Sequence, residues 1–190
     1  MTEWTKKREV MRHYDFSASV YDAQYAEEQN AKMEAVLNSI NLNKDSFVLD
    51  AGCGTGLLLK HIEKSVKLIV DLDVSLKILK KAKKRVKQLS KVAVICADAD
   101  FLPFQNNVFD VTFAITLLQN MPDPLVTLHE MKRVNKDPAT IVVTGLKKKF
   151  SQEAFVKLLH KARLHVSIMK TNSQINGTIA TCRKIGGENI

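Results

Sequence analysis

The stretch Val48-Leu-Asp-Ala-Gly-Cys-Gly-Thr-Gly56 decides how this chain is read. An apolar run ends on Asp50, and glycines follow at Gly52, Gly54 and Gly56 before a helical pattern begins. Glycine is required where the backbone takes positive φ or must come close to a ligand. In an open α/β sheet, such a loop at the carboxyl end of the first strand is where nucleotide-like ligands sit. A dinucleotide fingerprint, G-x-G-x-x-G, needs its third glycine where Leu57 stands, and a P-loop needs a Gly-Lys-Ser/Thr ending that is absent. The observed G-x-G-x-G brings backbone to a ligand without building a pyrophosphate site, which suits an adenosine that carries no phosphates.

Outward from this loop, apolar runs of strand length alternate with runs of helical period. Strands are expected at Ser46–Ala51, Lys67–Leu72, Val92–Ala97, Phe109–Ile115, Thr140–Leu146, Leu164–Thr171 and Gly177–Arg183. Helices are expected near Gly56–Ser65, Leu76–Leu89, Leu125–Val134 and Gln152–Arg163. Short runs such as Leu68-Ile69-Val70 suit strands covered on both faces. The alternation predicts right-handed βαβ units in an α/β fold with one doubly wound domain over residues 46–190. The last two strands, separated by a break at Asn176-Gly177, are expected to form an antiparallel hairpin at one edge. Residues 1–45 stand apart as an N-terminal helical arm or lid. Ala26–Ile40 has the spacing of an amphipathic helix, and the aromatic-rich segment before it holds Tyr14, Phe16, Tyr21 and Tyr25.

Two further signals sit at strand ends. In Val70-Asp-Leu-Asp-Val-Ser75, a carboxylate ending the second strand is placed to accept hydrogen bonds from both hydroxyls of a ribose. Asp71 and Asp73 both qualify. Asp73 is preferred because Ser75 stands near the cap of the next helix. In Ala97-Asp-Ala-Asp-Phe-Leu-Pro-Phe104, Asp98 is suited to an adenine amino group and Ala99 offers a backbone donor to the ring, with Leu102, Pro103 and Phe104 packing the loop beside the base.

Taken together, V-L-D-A-G-C-G-T-G, D-V-S-L-K-I-L-K-K-A-K, A-D-A-D-F-L-P-F and N-N-V-F-D-V-T-F-A-I-T-L-L-Q-N-M-P-D-P resemble the class I, Rossmann-like methyltransferases that use S-adenosylmethionine, in particular their methyltransferase-domain group. The run from Leu128 to Thr144 resembles the helix and fifth strand that follow in that group, and the resemblance extends from about residue 15 to the C-terminus. Asn135-Lys136-Asp137-Pro138-Ala139 departs from it, standing where the group has a Pro-Gly-Gly turn. The resemblance implies a seven-stranded, mostly parallel sheet with an antiparallel last strand, methyltransferase activity, and S-adenosylmethionine as cofactor. The cofactor residues are then expected to be Asp50, Gly52, Cys53, Gly54, Gly56, Asp73, Val74, Asp98, Ala99 and Thr116.

Methyl transfer from a sulfonium is an in-line displacement that needs positioning more than a fixed catalytic group, and the sequence singles out no catalytic residue. Acceptor contacts are expected at Tyr14, Tyr21, Gln119, Asn120 and Lys147, with His13 as a further candidate in the arm. The fourth strand does not end in the N/D-P-P-Y/F pattern of amino-group methylases. The histidines lack metal-ligand spacing, so no metal is expected.

The chain has 190 residues, a 45% hydrophobic share and a net charge of +9. That charge favours a polyanionic partner. Lys147-Lys148-Lys149, with Lys132, Arg133, Lys6, Lys7, Arg8 and Arg12, is expected to form a basic rim that contacts phosphates. The leading expectation is therefore an RNA acceptor, tRNA or rRNA, with a small activator subunit as a further partner. The alternative is a small-molecule acceptor of quinone or metabolite type, with the arm as lid, and a non-catalytic partner subunit ranks below both. No apolar run reaches membrane-spanning length. Cys53, Cys96 and Cys182 are odd in number and far apart, which suits free thiols in the cytoplasm.

Overall fold

A computed structural model describes residues 2–24, 26–171 and 175–184, and of residues 17–24 and 26 the backbone only. In chain order the elements are α1 (Glu3–Gln24), α2 (Ala26–Leu37), β1 (Phe47–Ala51), α3 (Leu59–Ile62), β2 (Leu68–Asp73), α4 (Leu76–Val86) and β3 (Val92–Cys96). Then follow β4 (Phe109–Ala114), a 3₁₀ turn at Leu118–Asn120, α5 (Pro124–Val134), β5 (Asn135–Leu146), α6 (Gln152–Lys161), β6 (Leu164–Lys170) and β7 (Gly177–Lys184). They form one seven-stranded sheet in the order β3-β2-β1-β4-β5-β7-β6. β1 runs parallel to β2 and β4, β2 to β3, and β4 to β5. β7 is antiparallel to both of its neighbours, β5 and β6. The expected fold class stands, and so does the terminal hairpin.

Alternation along each strand divides the core. Val48, Ile69, Val111 and Phe113 pack on one face with Ile62 and with Met33 and Val36 of α2. Leu49, Ala51, Val70 and Leu72 pack on the opposite face. Ile141, Val143 and Cys182 meet Leu128 and Met131 of α5 and Phe155 and Leu159 of α6. Apolar cover on both faces is why β2 opens on the apolar run Leu68-Ile69-Val70. Helix starts follow side-chain caps: Ser75 accepts from the Ile78 amide at 3.2 Å, and Ser151 from the Ala154 amide at 3.1 Å.

The N-terminal arm is helical as expected, with Glu3–Gln24 in one long helix. Two elements differ from expectation. The helix after the glycine loop is short, Leu59–Ile62 rather than Gly56–Ser65, because turns fill the rest of that span. β5 begins at Asn135 rather than Thr140. The Asn135–Ala139 segment, expected as a connecting turn, runs inside the strand, with a register shift against β4 between Phe109 and Val111. Asn135 is held there by Thr112, whose hydroxyl donates to Asn135 Oδ1 at 2.6 Å.

Candidate functional site

Strand order reverses between β1 and β4, and a cleft opens outside the carboxyl ends there, as expected of doubly wound sheets. The glycine loop forms its floor. Gly52 and Cys53 donate to the Leu72 carbonyl at 2.7 and 3.0 Å, which ties the loop to the end of β2. Gly52 has φ +74°, and a Cβ there would lie 2.9 Å from Leu117 Cδ1. Gly54 has φ +57°, and a Cβ there would meet no atom within 4 Å, because the position faces the open cleft. From α4, Arg85 Nη1 donates to the Thr55 carbonyl at 2.7 Å and to its hydroxyl oxygen at 2.9 Å, bracing the loop from behind.

Asp73 closes β2 and shapes the loop. Its Oδ2 accepts from the Gly54 amide at 3.1 Å and its Oδ1 from the Ser75 amide at 2.8 Å. Burial raises the Asp73 carboxyl above the ordinary range, while these backbone donors pull the other way. Asp50 and Asp71 are register partners on β1 and β2, and both are buried. Burial first, then the neighbouring carboxylates, pushes Asp50 well up. Asp71 rises to about 7 from burial and the nearby Asp73. Neither Asp71 oxygen has a hydrogen-bond partner among the described residues.

The far wall comes from the arm. Lys7, Val10, Met11 and Tyr14 of α1 line the cleft, joined by Gln29 and Met33 of α2. Lys7 Nζ donates to both oxygens of Asp98, at 2.8 and 2.7 Å, and to Asp100, which also accepts from the Thr127 hydroxyl at 2.5 Å. Two more polar contacts pin α1 down. The Ser75 hydroxyl donates to Asp15 at 2.5 Å, and the Asn120 amide donates to the Tyr14 hydroxyl at 3.0 Å.

At the end of β4, Thr116 has φ +63°, a strained conformation for a β-branched residue. Its surroundings over-determine it. The Thr116 amide donates to the Thr144 hydroxyl at 2.7 Å, and its carbonyl accepts from Gln119 at 2.8 Å and Asn120 at 3.0 Å. Lys32 of α2, only 4% exposed, donates to the Thr116 hydroxyl at 3.2 Å.

Nearly all the expected cofactor residues converge on this cleft: Asp50, Gly52, Cys53, Gly54, Asp73, Val74, Asp98, Ala99 and Thr116 line it, whereas Gly56 lies behind the loop. Of the acceptor residues, Tyr14 and Asn120 line it. Gln119 turns back onto the Thr116 carbonyl and stays outside the lining, because its amide completes that turn. Lys147 is exposed beyond the lining, its amide tied to the Asn176 carbonyl. The Tyr21 side chain and Tyr25 lie outside the described residues. Of the residues expected in the basic rim, Lys6, Arg8, Arg12, Lys148 and Lys149 are exposed, and two are turned to other use. Lys7 is buried in its ion pairs, and Arg133 braces the 102–106 loop through Glu130, the Leu102 and Phe104 carbonyls and Asn106. Phe16 is 91% exposed, so that aromatic does not close the cleft.

Sequence reasoning put Lys7 in a basic rim and missed Val10 and Met11, although with Tyr14 the three stand at i, i+3, i+4 and i+7, the stripe of one helix face. It also missed Lys32, which no spacing rule distinguishes from a solvated lysine.

The residues present fit an adenosine-bearing cation. Asp73 offers carboxylate lone pairs beyond its two backbone donors, Gly54 leaves room for close approach, and Asp73 and Asp98 make the lining acidic with Lys7 opposing. A pyrophosphate would meet these carboxylates at a Coulombic cost. Among the described residues no group of three or more His, Cys, Asp or Glu is arranged to hold a metal ion, and no helix is long and apolar enough to cross a membrane.

Asp73→Ala is expected to weaken binding of S-adenosylmethionine by roughly 1–3 kcal/mol, about five- to 150-fold, through loss of hydrogen bonds to a charged acceptor. Isothermal titration checks this, and an unchanged affinity would move the ribose-binding role to another acid.

Residues 49–143 match the family model described as "Methyltransferase domain". Over 142 residues the chain is 33% identical to a malonyl-[acyl-carrier protein] O-methyltransferase of Marinomonas sp. (strain MWYL1), covering 74% of this chain and 52% of that protein. Over 113 residues it is 33% identical to a demethylmenaquinone methyltransferase of Staphylococcus carnosus (strain TM300), covering 58% and 47%. Among solved structures, a SAM-dependent methyltransferase from Aquifex aeolicus superposes with a TM-score of 0.72 at 22% identity, covering 80% of this chain and 89% of that one. The chain spans about half the length of the curated relatives it matches.

Proposed function

Because the chain belongs to the methyltransferase-domain family, we propose that it transfers the methyl group of S-adenosylmethionine to a small organic acceptor rather than to RNA. The observation that carries this reading is that α1 walls a partly apolar cleft, where Val10 and Met11 join Met33, Leu117 and Met121 in the lining. A wall pinned by Lys7, Tyr14 and Asp15 suits a compact acceptor more than a folded polyanion. Of the cationic residues that favoured RNA, Lys7 and Arg133 are in structural contacts, and only Lys7 is in the cleft lining. The two relatives are named for a carboxyl group on a carrier protein and for a quinone precursor, and both names support the small-molecule alternative.

The cofactor supplies an activated methyl on sulfur. This chain's residues hold it and shape the approach: Asp73 takes the ribose hydroxyls, the glycine loop lies under the cofactor's body, and α1 with Met33 excludes water from the acceptor side. Excluding water and fixing an in-line approach account for most of what such a reaction needs.

The test is titration of the full chain with S-adenosylmethionine, with NAD as control, then labelled methyl transfer to a metabolite extract and to total RNA. Binding of S-adenosylmethionine alone and label in the metabolite fraction are expected. Label in RNA that falls steeply with salt would overturn the acceptor assignment. Binding of neither cofactor would overturn the activity.

A further inference from the structure

Lys32 is a lysine in a place lysines avoid. It is 4% exposed on α2, and its ammonium reaches two described partners, the Thr116 hydroxyl at 3.2 Å and Glu28 Oε1 at 3.4 Å. Glu28, one turn back on the same helix, is shared: its Oε2 accepts from Asn176 at 3.0 Å, across the β6–β7 connection. A desolvated ammonium facing one hydroxyl and one long, divided carboxylate contact is poorly compensated. Burial accordingly lowers the Lys32 pKa below its ordinary 10.5, with Glu28, the charged group that acts on it, opposing. The hydroxyl it meets is not an ordinary surface group. Thr116 lines the cleft at the end of β4, its backbone is held at φ +63° by Thr144, Gln119 and Asn120, and its Oγ1 accepts from Lys32. Strain of this kind persists where the surroundings impose it, and it clusters at functional sites.

Resting on the methyltransferase reading above, we propose that Thr116 and Lys32 form a two-residue proton path that deprotonates a hydroxyl acceptor as it is methylated. The acceptor class is then an alcohol, phenol or hydroquinone, whose proton must leave, rather than a carboxylate already ionised. Lys32 Nζ donates to the Thr116 hydroxyl at rest; in the proposed step its deprotonated form takes the Thr116 hydroxyl proton while the acceptor O–H proton passes to Thr116 Oγ1. The acceptor oxygen forms its bond to the methyl carbon as the carbon–sulfur bond breaks, its electron pair remaining on sulfur. The proton then rests on Lys32 as ammonium and returns to solvent past Glu28, which is 20% exposed. Thr116 touches the acceptor in this scheme, and Lys32 acts only through it.

A general base of this kind contributes on the order of a hundredfold or more in rate. The test begins without an acceptor. In the full chain carrying ¹³Cε-lysine, the Lys32 resonance, assigned by its loss in Lys32→Arg, is expected to titrate below the exposed lysines. Thr116→Val should move its midpoint, while Thr116→Ser, which keeps the hydroxyl, should leave it. A Lys32 that titrates with the surface lysines, or that ignores Thr116→Val, overturns the proposal. With 1,4-naphthohydroquinone and labelled S-adenosylmethionine, Lys32→Met and Lys32→Arg are both expected to lose at least about a hundredfold in kcat/KM. Neither should change cofactor affinity by more than about twofold, a difference under about 0.5 kcal/mol. Rescue by arginine would overturn the path, since arginine supplies the charge yet takes no proton near neutral pH. Failure of the parent chain to bind S-adenosylmethionine would instead sink the methyltransferase reading, whatever Lys32 does.

Discussion

Replacing Lys7 with methionine is expected to cost about 3–5 kcal/mol, the penalty for removing one partner from a buried ion group. Lys7 is 7% exposed and its partners Asp98 and Asp100 are 18% and 6% exposed, so the variant leaves two carboxylates facing each other with no cation between them. Methionine keeps the length and apolar stem of lysine, which isolates the charge from the packing. For a domain of this size the melting temperature is expected to fall by roughly 10 °C, and amide exchange along the first turns of α1 should accelerate. A variant melting within about 2 °C of the parent would show that this ion group does not hold the arm. Burial works against the Lys7 charge, yet the hydrogen bonds and charges of Asp100 and Asp98 outweigh it and raise its pKa above 10.5. A raised lysine contributes its stability fully below the unfolded value and loses it only as pH climbs through the folded one. The parent should therefore keep this contact throughout the neutral range and release it only in strong alkali.

Asp71→Asn is expected to act in the opposite direction. Asp71 is fully buried, its oxygens lack partners among the described residues, and its carboxyl is raised from 3.8 to about 7 by burial and Asp73. The folded state therefore holds a proton that the unfolded chain gives up near pH 4. Stability falls as pH rises from about 4 to about 7, and the full penalty, at most roughly 4 kcal/mol, applies above that. Asparagine is close to isosteric with the protonated acid and does not titrate. Its melting temperature should exceed the parent's by up to about 10 °C at pH 8 and match it at pH 4. Equal gains at both values would mean that the amide acts through new hydrogen bonds and not through the removed charge.

How much of this was legible in the sequence follows from where each signal resides. The strands β1, β2 and β4 are short apolar runs because both faces are covered, and period alone finds such runs. The glycine loop and Asp73 are each local chemistry, since a positive-φ turn and a strand-end acid are each written within a few residues of sequence. β5 was misjudged because Pro138 and its polar neighbours read as a turn, and only the pairing with β4 and β7 makes them strand. Lys7 and Lys32 escaped for a different reason. A lysine on a helix reads as solvated, and what buries these two is the fold: Asp98 lies 91 residues from Lys7, and Thr116 lies 84 from Lys32. Buried charges of this kind come from tertiary structure alone, and here they fell at the cleft.

The position of β7 has a consequence for synthesis. β6 does not pair with β5; β7 lies between them, bonded to both along Gly177–Lys184. As the chain leaves the ribosome, the five parallel strands from β1 to β5 can assemble while the open side of β5 is still bare. An unpaired edge of this kind is a template for pairing with other chains. That hazard lasts until residue 184 has emerged, when β6 and β7 can add together as a preformed hairpin. A nascent chain paused between residues 146 and 177 should therefore engage holding chaperones that a chain extended past residue 184 no longer needs.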